Sequence, residues 1–518
     1  MNSAIFFLLS RTRASTCSRN RLSLALFSPA AMKLHSTTTS RSSRRPTLSS
    51  AIYPLGHPSS EISLELDRWV LSGSTLRLVE LQNLTRDLRN RGRHKQALEV
   101  SEWMKDKWTK EKGAKPFVAS DHAVHLDLIG EVRGLSAAKM YFDGLKEKDR
   151  TEKTYGALLN CYVREKLIDE ALSHMKKMKE LGMASSPLPY NNIMCLYTNT
   201  AQHEKVPSVL EEMKNSMILP DNFSYRICIN SLGKKSDIQG MEKILEEMEI
   251  QPQIVVDWNT YAVVANIYIK AGLNLKADSM LKRSEEKLEK KNGVCYNHLI
   301  SLHCALKNKE EMWRLWALQK ENCKRFNNRD YATMIQALVK LGEVEEAEEL
   351  VKDWESSGNS FDFRVPNALL VGYGQAGLMQ KAEKMIDGFL TKGKTPPSNS
   401  WEIVAAGYAE KGELAKACKL MTNALRVASG KWLPKPNVMR SMLQYLGEEG
   451  EVAVAENFVG LLKEVMPVNR DVYHALMKCN VRAGRGVEEI LEKMKAEGIE
   501  PDEETQGIII TTGSKSQN

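Results

Sequence analysis

Aromatic residues are scarce in this 518-residue sequence: Phe, Trp and Tyr together make up 7%. That is thin for the core of a large β-sandwich or barrel. Nine cysteines are present and none forms a Cys-x-x-Cys pair, which leaves little footing for zinc or dithiol redox chemistry. Most of them sit inside apolar helical patterns, so buried thiols are expected. No segment approaches the ~18 consecutive apolar residues of a membrane span. Walker and dinucleotide motifs are missing. The His-x-Glu and Pro-Cys-x-x-Cys signature of a zinc deaminase is missing too. No catalytic residue, metal site, cofactor or small-molecule substrate is therefore expected.

Acids are absent from residues 1–60, where Glu61 is the first. The same stretch holds eight of the 73 Lys and Arg, leaving 65 against 65 Asp and Glu in the remainder. The net charge of +8 thus belongs to the leader, and the rest is neutral overall. It gives no global evidence for a nucleic-acid partner, so any basic surface must be local. The leader is rich in Ser, Thr and Arg and carries Phe6, Phe7, Leu8, Leu9, Leu22, Leu24 and Leu26 among its arginines. This composition predicts an organellar transit peptide over 1–60. A secretory signal fits less well, because the apolar run Ala4 to Ser10 is short and the arginines follow it. Mitochondrion is favoured, with plastid as the alternative.

What is present is a period. Tyr155, Tyr190, Tyr225, Tyr261, Tyr296 and Tyr331 are separated by 35, 35, 36, 35 and 35 residues. Pro366, Trp401 and, after small slips, Tyr473 continue the register. Glycines recur eleven residues after the aromatic position, as in Gly272, Gly342, Gly377, Gly412 and Gly484. An alanine follows five residues later, as in Ala277, Ala347, Ala382 and Ala417. Apolar spacing predicts a helix from Tyr331 to Leu341, a stop at Gly342 through positive φ, and a second helix over Glu343 to Trp354. Ala347 is small where two helices must approach. One such hairpin cannot bury its own apolar face, so neighbours must stack.

Period, aromatic, Gly and Ala phase, and the Pro220-Asp221 and Pro501-Asp502 endings together resemble pentatricopeptide repeats of the pure 35-residue type. The block Trp69 to Met104 is similar to plant mitochondrial members. Tetratricopeptide repeats fit less well, having a 34-residue period and a Trp-x-x-Leu-Gly start that is missing here. Aligned on the aromatic, the units are 152–186, 187–221, 222–257, 258–292, 293–327, 328–362, 363–397, 398–435, 436–469 and 470–502. Two divergent units precede them, at about 78–118 and 119–151. The resemblance implies an all-α, right-handed α-solenoid superhelix of about twelve stacked helix-turn-helix repeats. The expected organisation is a leader over 1–60, capping helices and a divergent repeat over 61–118, the array over 119–502 and a tail over 503–518 with no appended catalytic domain.

The resemblance also implies single-stranded RNA held at one base per repeat and read by the fifth and last residues of each unit. Asn191 with Asp221 then implies uracil, and Asn297 with Asn327 cytosine over uracil. Asn367 faces Pro397, which offers no matching side-chain group. The remaining pairs depart from the code: Gly156 with Ser186, Ala262 with Asn292, Ala332 with Asp362, Glu402 with Lys435, Arg440 with Asn469, and His474 with Asp502. Arg226 with Asp257 suits an internal ion pair instead. Eight residues after the fifth position stand Arg164, Lys234, Lys270 and Lys340, expected as phosphate contacts or as lysines and arginines that favour the helix dipole. Leu188, Phe223 and Val294 hold the second position, where family members clamp bases. Three functions remain open: a non-catalytic RNA-binding factor in mitochondrial RNA processing, stability or translation; a structural component of the mitochondrial ribosome; and a protein–protein scaffold. The partner is accordingly organellar mRNA or rRNA, with the ribosome as a second possibility and no membrane.

Overall fold

The computed structural model describes residues 61–73, 76–107, 117–323, 325–429 and 432–515, together with Leu48 and Ile52. Apart from Leu48 and Ile52, the transit-peptide expectation over 1–60 lies outside the described residues. No strand occurs among the described residues, and every predicted unit from 152–186 to 470–502 contains two helices. Unit 328–362 illustrates the rule. Helix Asn328–Leu341 ends at Gly342 with φ +85°, and helix Val344–Ser356 follows, burying Ala347, Leu350, Val351 and Trp354.

The chain divides into two compact units, Met1–Ile267 and Tyr268–Asn518. Within each, the first helix of one repeat packs on the first helix of the next, for example Glu152–Arg164 on Pro187–Asn199, and Asn328–Leu341 on Arg364–Gln375. The aromatic position forms the interior of each hairpin: Tyr155, Tyr190, Tyr225, Tyr296, Tyr331 and Tyr473 are all buried. Buried phenols need a partner. Tyr225 Oη donates to Glu247 Oε1 at 2.9 Å, and Tyr331 Oη to Asp353 Oδ2 at 3.0 Å, each reaching its own second helix. The alanines Ala171, Ala277, Ala347, Ala382 and Ala417 are fully buried, as close helix approach demands. Eight described cysteines are free thiols. Burial pushes Cys195 and Cys228 up to about 12, so they act as small apolar core residues.

The segments flanking the array are also helical. Ile62–Leu71, Leu78–Asn90 and His94–Asp106 precede it. Residues 503–518, expected as a tail, hold helix Glu503–Lys515, whose Ile508 is buried in one cluster with Tyr473, Met477 and Met494. Four apolar residues at Gly507 to Ile510 are too short a run to announce a helix by periodicity. Packing of Ile508 and Ile509 on the last hairpin supplies the stabilisation that propensity alone does not.

The turn between the two helices needs positive φ whether or not glycine is present. Where the glycine is missing, Lys166, Ala201, Ser236 and Lys307 stand in the same slot with φ of 58°, 59°, 59° and 58°. An L-residue held there costs about 1–2 kcal/mol, part of which glycine would return as chain entropy. Ala201→Gly and Lys307→Gly are therefore each expected to stabilise the protein by about 1 kcal/mol. Gly342→Ala is expected to destabilise it by a similar amount. Urea unfolding midpoints of the three variants check the sign of each change.

Candidate nucleic-acid interface

The fifth residue of a unit lies one turn into its first helix. Its side chain reaches the opening turn of the next unit's first helix. In unit 187–221, Asn191 Nδ2 donates to Asp221 Oδ1 at 3.2 Å, while Asn191 Oδ1 accepts from Ser224 Oγ at 2.7 Å. Asp221 is also the N-cap of the next helix, accepting from Ser224 N at 2.8 Å. Such a cap answers one of the unpaired amides of a helix start. Asn191 is wholly buried by these contacts.

Asn297 is held in the opposite sense. Its Nδ2 donates to Asp330 Oδ1 at 2.6 Å, because a carboxylate can only accept. Its Oδ1 is buried with no hydrogen-bond partner among the described residues. No hydrogen bond joins Asn327 to Asn297 among the described residues. It caps helix Asn328–Leu341 through Arg329 N at 2.9 Å, and its own N–H donates to Asp330 Oδ2 at 2.8 Å. Asp330 thus links the two residues of that pair. Asn367 follows the hydroxyl pattern, with Oδ1 accepting from Ser400 Oγ at 2.7 Å. The residue three places after the cap therefore sets which end of the fifth-position amide it engages. Serine takes the oxygen and aspartate takes the nitrogen.

Three of the departures from the code, Arg226, Glu402 and His474, make the same kind of contact. Arg226 Nη1 pairs with Asp257 Oδ2 at 3.0 Å. It is fully buried, with Nε and Nη2 unpartnered among the described residues and its guanidinium 5.8 Å from the Phe223 ring centre. Glu402 Oε1 accepts from Lys435 N at 2.6 Å, and His474 Nε2 lies 2.8 Å from Thr505 Oγ1. Sequence reasoning missed these anchoring residues. A signal was available: Thr154, Ser224, Thr260, Asp330 and Ser400 each stand immediately before the aromatic position, and all five are buried.

The four expected phosphate contacts separate into two kinds. Arg164 is engaged within the protein, with Nη2 2.6 Å from Asp127 Oδ1 and Nε 2.9 Å from Glu131 Oε2. Asp127 is shared with Arg89 and Asn160, so it joins three successive first helices. Lys234, Lys270 and Lys340 are exposed at the ends of their helices. None of these lysines has a carboxylate in ion-pair contact among the described residues. Lys340 and Lys307 line a recess of about 400 Å³ with Ser301, Cys304, Ala305 and Leu341, and no acid lines it. Of the second-position residues, Leu188 is 38% exposed, whereas Phe223 and Val294 are half-buried. Gly156 is buried beside Leu188, and a Cβ there would meet Leu188 Cδ2 at 4.0 Å, an ordinary contact.

Comparison with known proteins agrees with the repeat register. Models of the PPR repeat match residues 153–183, 223–250, 330–359 and 365–393, and a model of the PPR repeat family matches 189–234. A mitochondrial pentatricopeptide repeat-containing protein of Arabidopsis thaliana is 48% identical over 90% of this chain and 95% of its own length. The Arabidopsis large ribosomal subunit protein mL101 is 33% identical over 83% of this chain and 87% of its own. The crystal structure of maize PPR10 is 19% identical, with a TM-score of 0.46 over 90% of this chain and 65% of that one. Several of the curated relatives are mitochondrial, and the location of this protein is mitochondrial as well. With a relative of this identity spanning nearly the whole of both sequences, the chain belongs to the pentatricopeptide repeat family and resembles its plant mitochondrial members.

Proposed function

We propose that this protein binds single-stranded mitochondrial RNA and acts without catalysis in the processing, stability or translation of transcripts. The observation that carries the reading is the in-phase placement of amide side chains at Asn191, Asn297 and Asn367, each oriented by the next repeat. An oriented amide offers a base edge one defined donor or acceptor. Exposed Lys234, Lys270 and Lys340 supply the sequence-independent part of the binding. A bound array shields its RNA from nucleases and keeps it from pairing, which needs no reacting group.

A second reading, a structural role in the mitochondrial ribosome, is favoured by the likeness to mL101 and by the few amide readers among the ten units. Ultraviolet crosslinking in isolated mitochondria, followed by sequencing of the attached RNA, separates the two. Crosslinks concentrated on one or a few messenger transcripts support the first reading. Crosslinks dominated by ribosomal RNA, with co-sedimentation of the protein in the large subunit, support the second.

Two outcomes follow for the purified chain. The Asn191→Ala and Asn297→Ala double variant is expected to lose pyrimidine preference at two positions of a selected RNA, with a drop in affinity of about tenfold or more. Selection from a random RNA pool reads both. The triple variant Lys234→Gln, Lys270→Gln, Lys340→Gln is expected to weaken all sequences alike. It should also flatten the plot of log affinity against log salt by about 2, at about 0.7 for each lost phosphate contact on a single strand. Fluorescence anisotropy across a salt series measures that slope.

A further inference from the structure

Nine of the ten fifth-position residues are buried, and Arg440 alone is exposed. It makes no ion pair and no side-chain hydrogen bond among the described residues. The arginine lies on the rim of a recess of about 130 Å³ in unit 436–469. Met439, Leu443, Leu462 and Val472 are buried in its floor, and Asn469 and Asp471 stand on the rim with Arg440. Asn469, the last residue of the unit, gives its side chain no role in capping the next helix. Instead its Nδ2 donates to Asp471 Oδ2 at 3.1 Å.

We propose that this recess is a guanine-reading site, in which Arg440 and Asp471 grip opposite edges of the base. The inference rests on the RNA-binding reading above. Guanine carries two adjacent acceptors, O6 and N7, that match the two-pronged guanidinium. On the neighbouring edge it carries two donors, N1–H and the N2 amino group, that match a carboxylate. O6 lies between the two edges, so a cation and an anion on one rim without an ion pair between them suit that base. Adenine would turn its amino group toward the guanidinium. Uracil offers one acceptor and one donor where guanine offers two of each. The apolar floor supplies a non-polar surface on which one face of a base can pack. The side-chain tie that holds Asn191, Asn297 and Asn367 is missing here because Val472 stands two places before His474, where the units that anchor those asparagines place Ser224, Asp330 and Ser400.

The test uses the purified full chain and a random pool of single-stranded RNA. The expected result is one enriched guanine, about four nucleotides from the pyrimidine read by unit 293–327 at one base per repeat. Replacing that guanosine with 7-deazaguanosine, which lacks N7, or with inosine, which lacks the N2 amino group, should each weaken wild-type binding by about tenfold. Arg440→Ala should remove the effect of 7-deazaguanosine, and Asp471→Asn the effect of inosine, while preferences at other positions persist. Three outcomes overturn the proposal. In the first, wild-type protein binds RNA with no enriched guanine. In the second, both analogues bind as guanosine does. In the third, Arg440→Ala weakens all sequences equally and lowers the salt slope, which assigns Arg440 to phosphate. Failure of the wild-type chain to retain any RNA from the pool would sink the RNA-binding reading itself, and this site with it. The analogue experiments use unaltered protein, so they do not depend on the folding of a variant.

Discussion

One hydrogen bond, recurring in several units of the array, couples the interior of a repeat to the start of the next. It runs from the fifth residue of a unit to the first turn of the following first helix, as from Asn191 to Ser224, Asn297 to Asp330 and Asn367 to Ser400. A helix start carries unpaired amides, and the residues that answer them, Asp221 and Asp330 among them, also anchor the preceding unit. Capping and stacking are therefore one set of contacts. The tyrosines and small alanines fill each hairpin, but nothing in an apolar contact dictates register between hairpins. A directional bond between buried polar groups does, because leaving either partner unsatisfied costs about 1–3 kcal/mol.

The same constraint shapes any surface the fifth residues present. Two asparagines at equivalent positions are different chemical groups once their anchors differ. Serine occupies the oxygen of Asn191 and of Asn367, whereas aspartate occupies the nitrogen of Asn297 and leaves its oxygen unpaired. A reading that pairs only the fifth and last letters of a unit cannot see this, since Ser224, Asp330 and Ser400 lie in the next one. Where the fifth residue is large and charged, the tie becomes an ion pair, as for Arg226 and Asp257.

Much of the architecture was legible before any coordinates. A 35-residue spacing of buried tyrosines has one economical explanation, and the turn glycine, the alanine and both helices of unit 328–362 stand where periodicity placed them. The positive-φ slot at Ala201 or Lys307 was hidden because the backbone need outlives the residue that normally meets it. Helix Glu503–Lys515 was hidden because its stabilisation is tertiary. The interface was less legible. Residue type told that Asn191 and Asn297 were polar inside an apolar pattern. Type alone could not tell that Arg164 is spoken for by Asp127 and Glu131, since those carboxylates come from another repeat.

A bond spanning 33 residues in a 35-residue repeat means that the unit of sequence and the unit of structure are out of phase. Cutting the chain at Asp221 and Asn222 severs Asn191 from Ser224, although both parts keep every residue of their repeats. A transplantable cassette of this array therefore starts at the aromatic position and ends at the residue before the next aromatic, so that each piece carries a fifth residue together with its anchor. Grafts joined at conventional repeat borders would exchange anchors as well as readers, and so would alter the hydrogen-bonding sense of a neighbour whose own sequence had not changed.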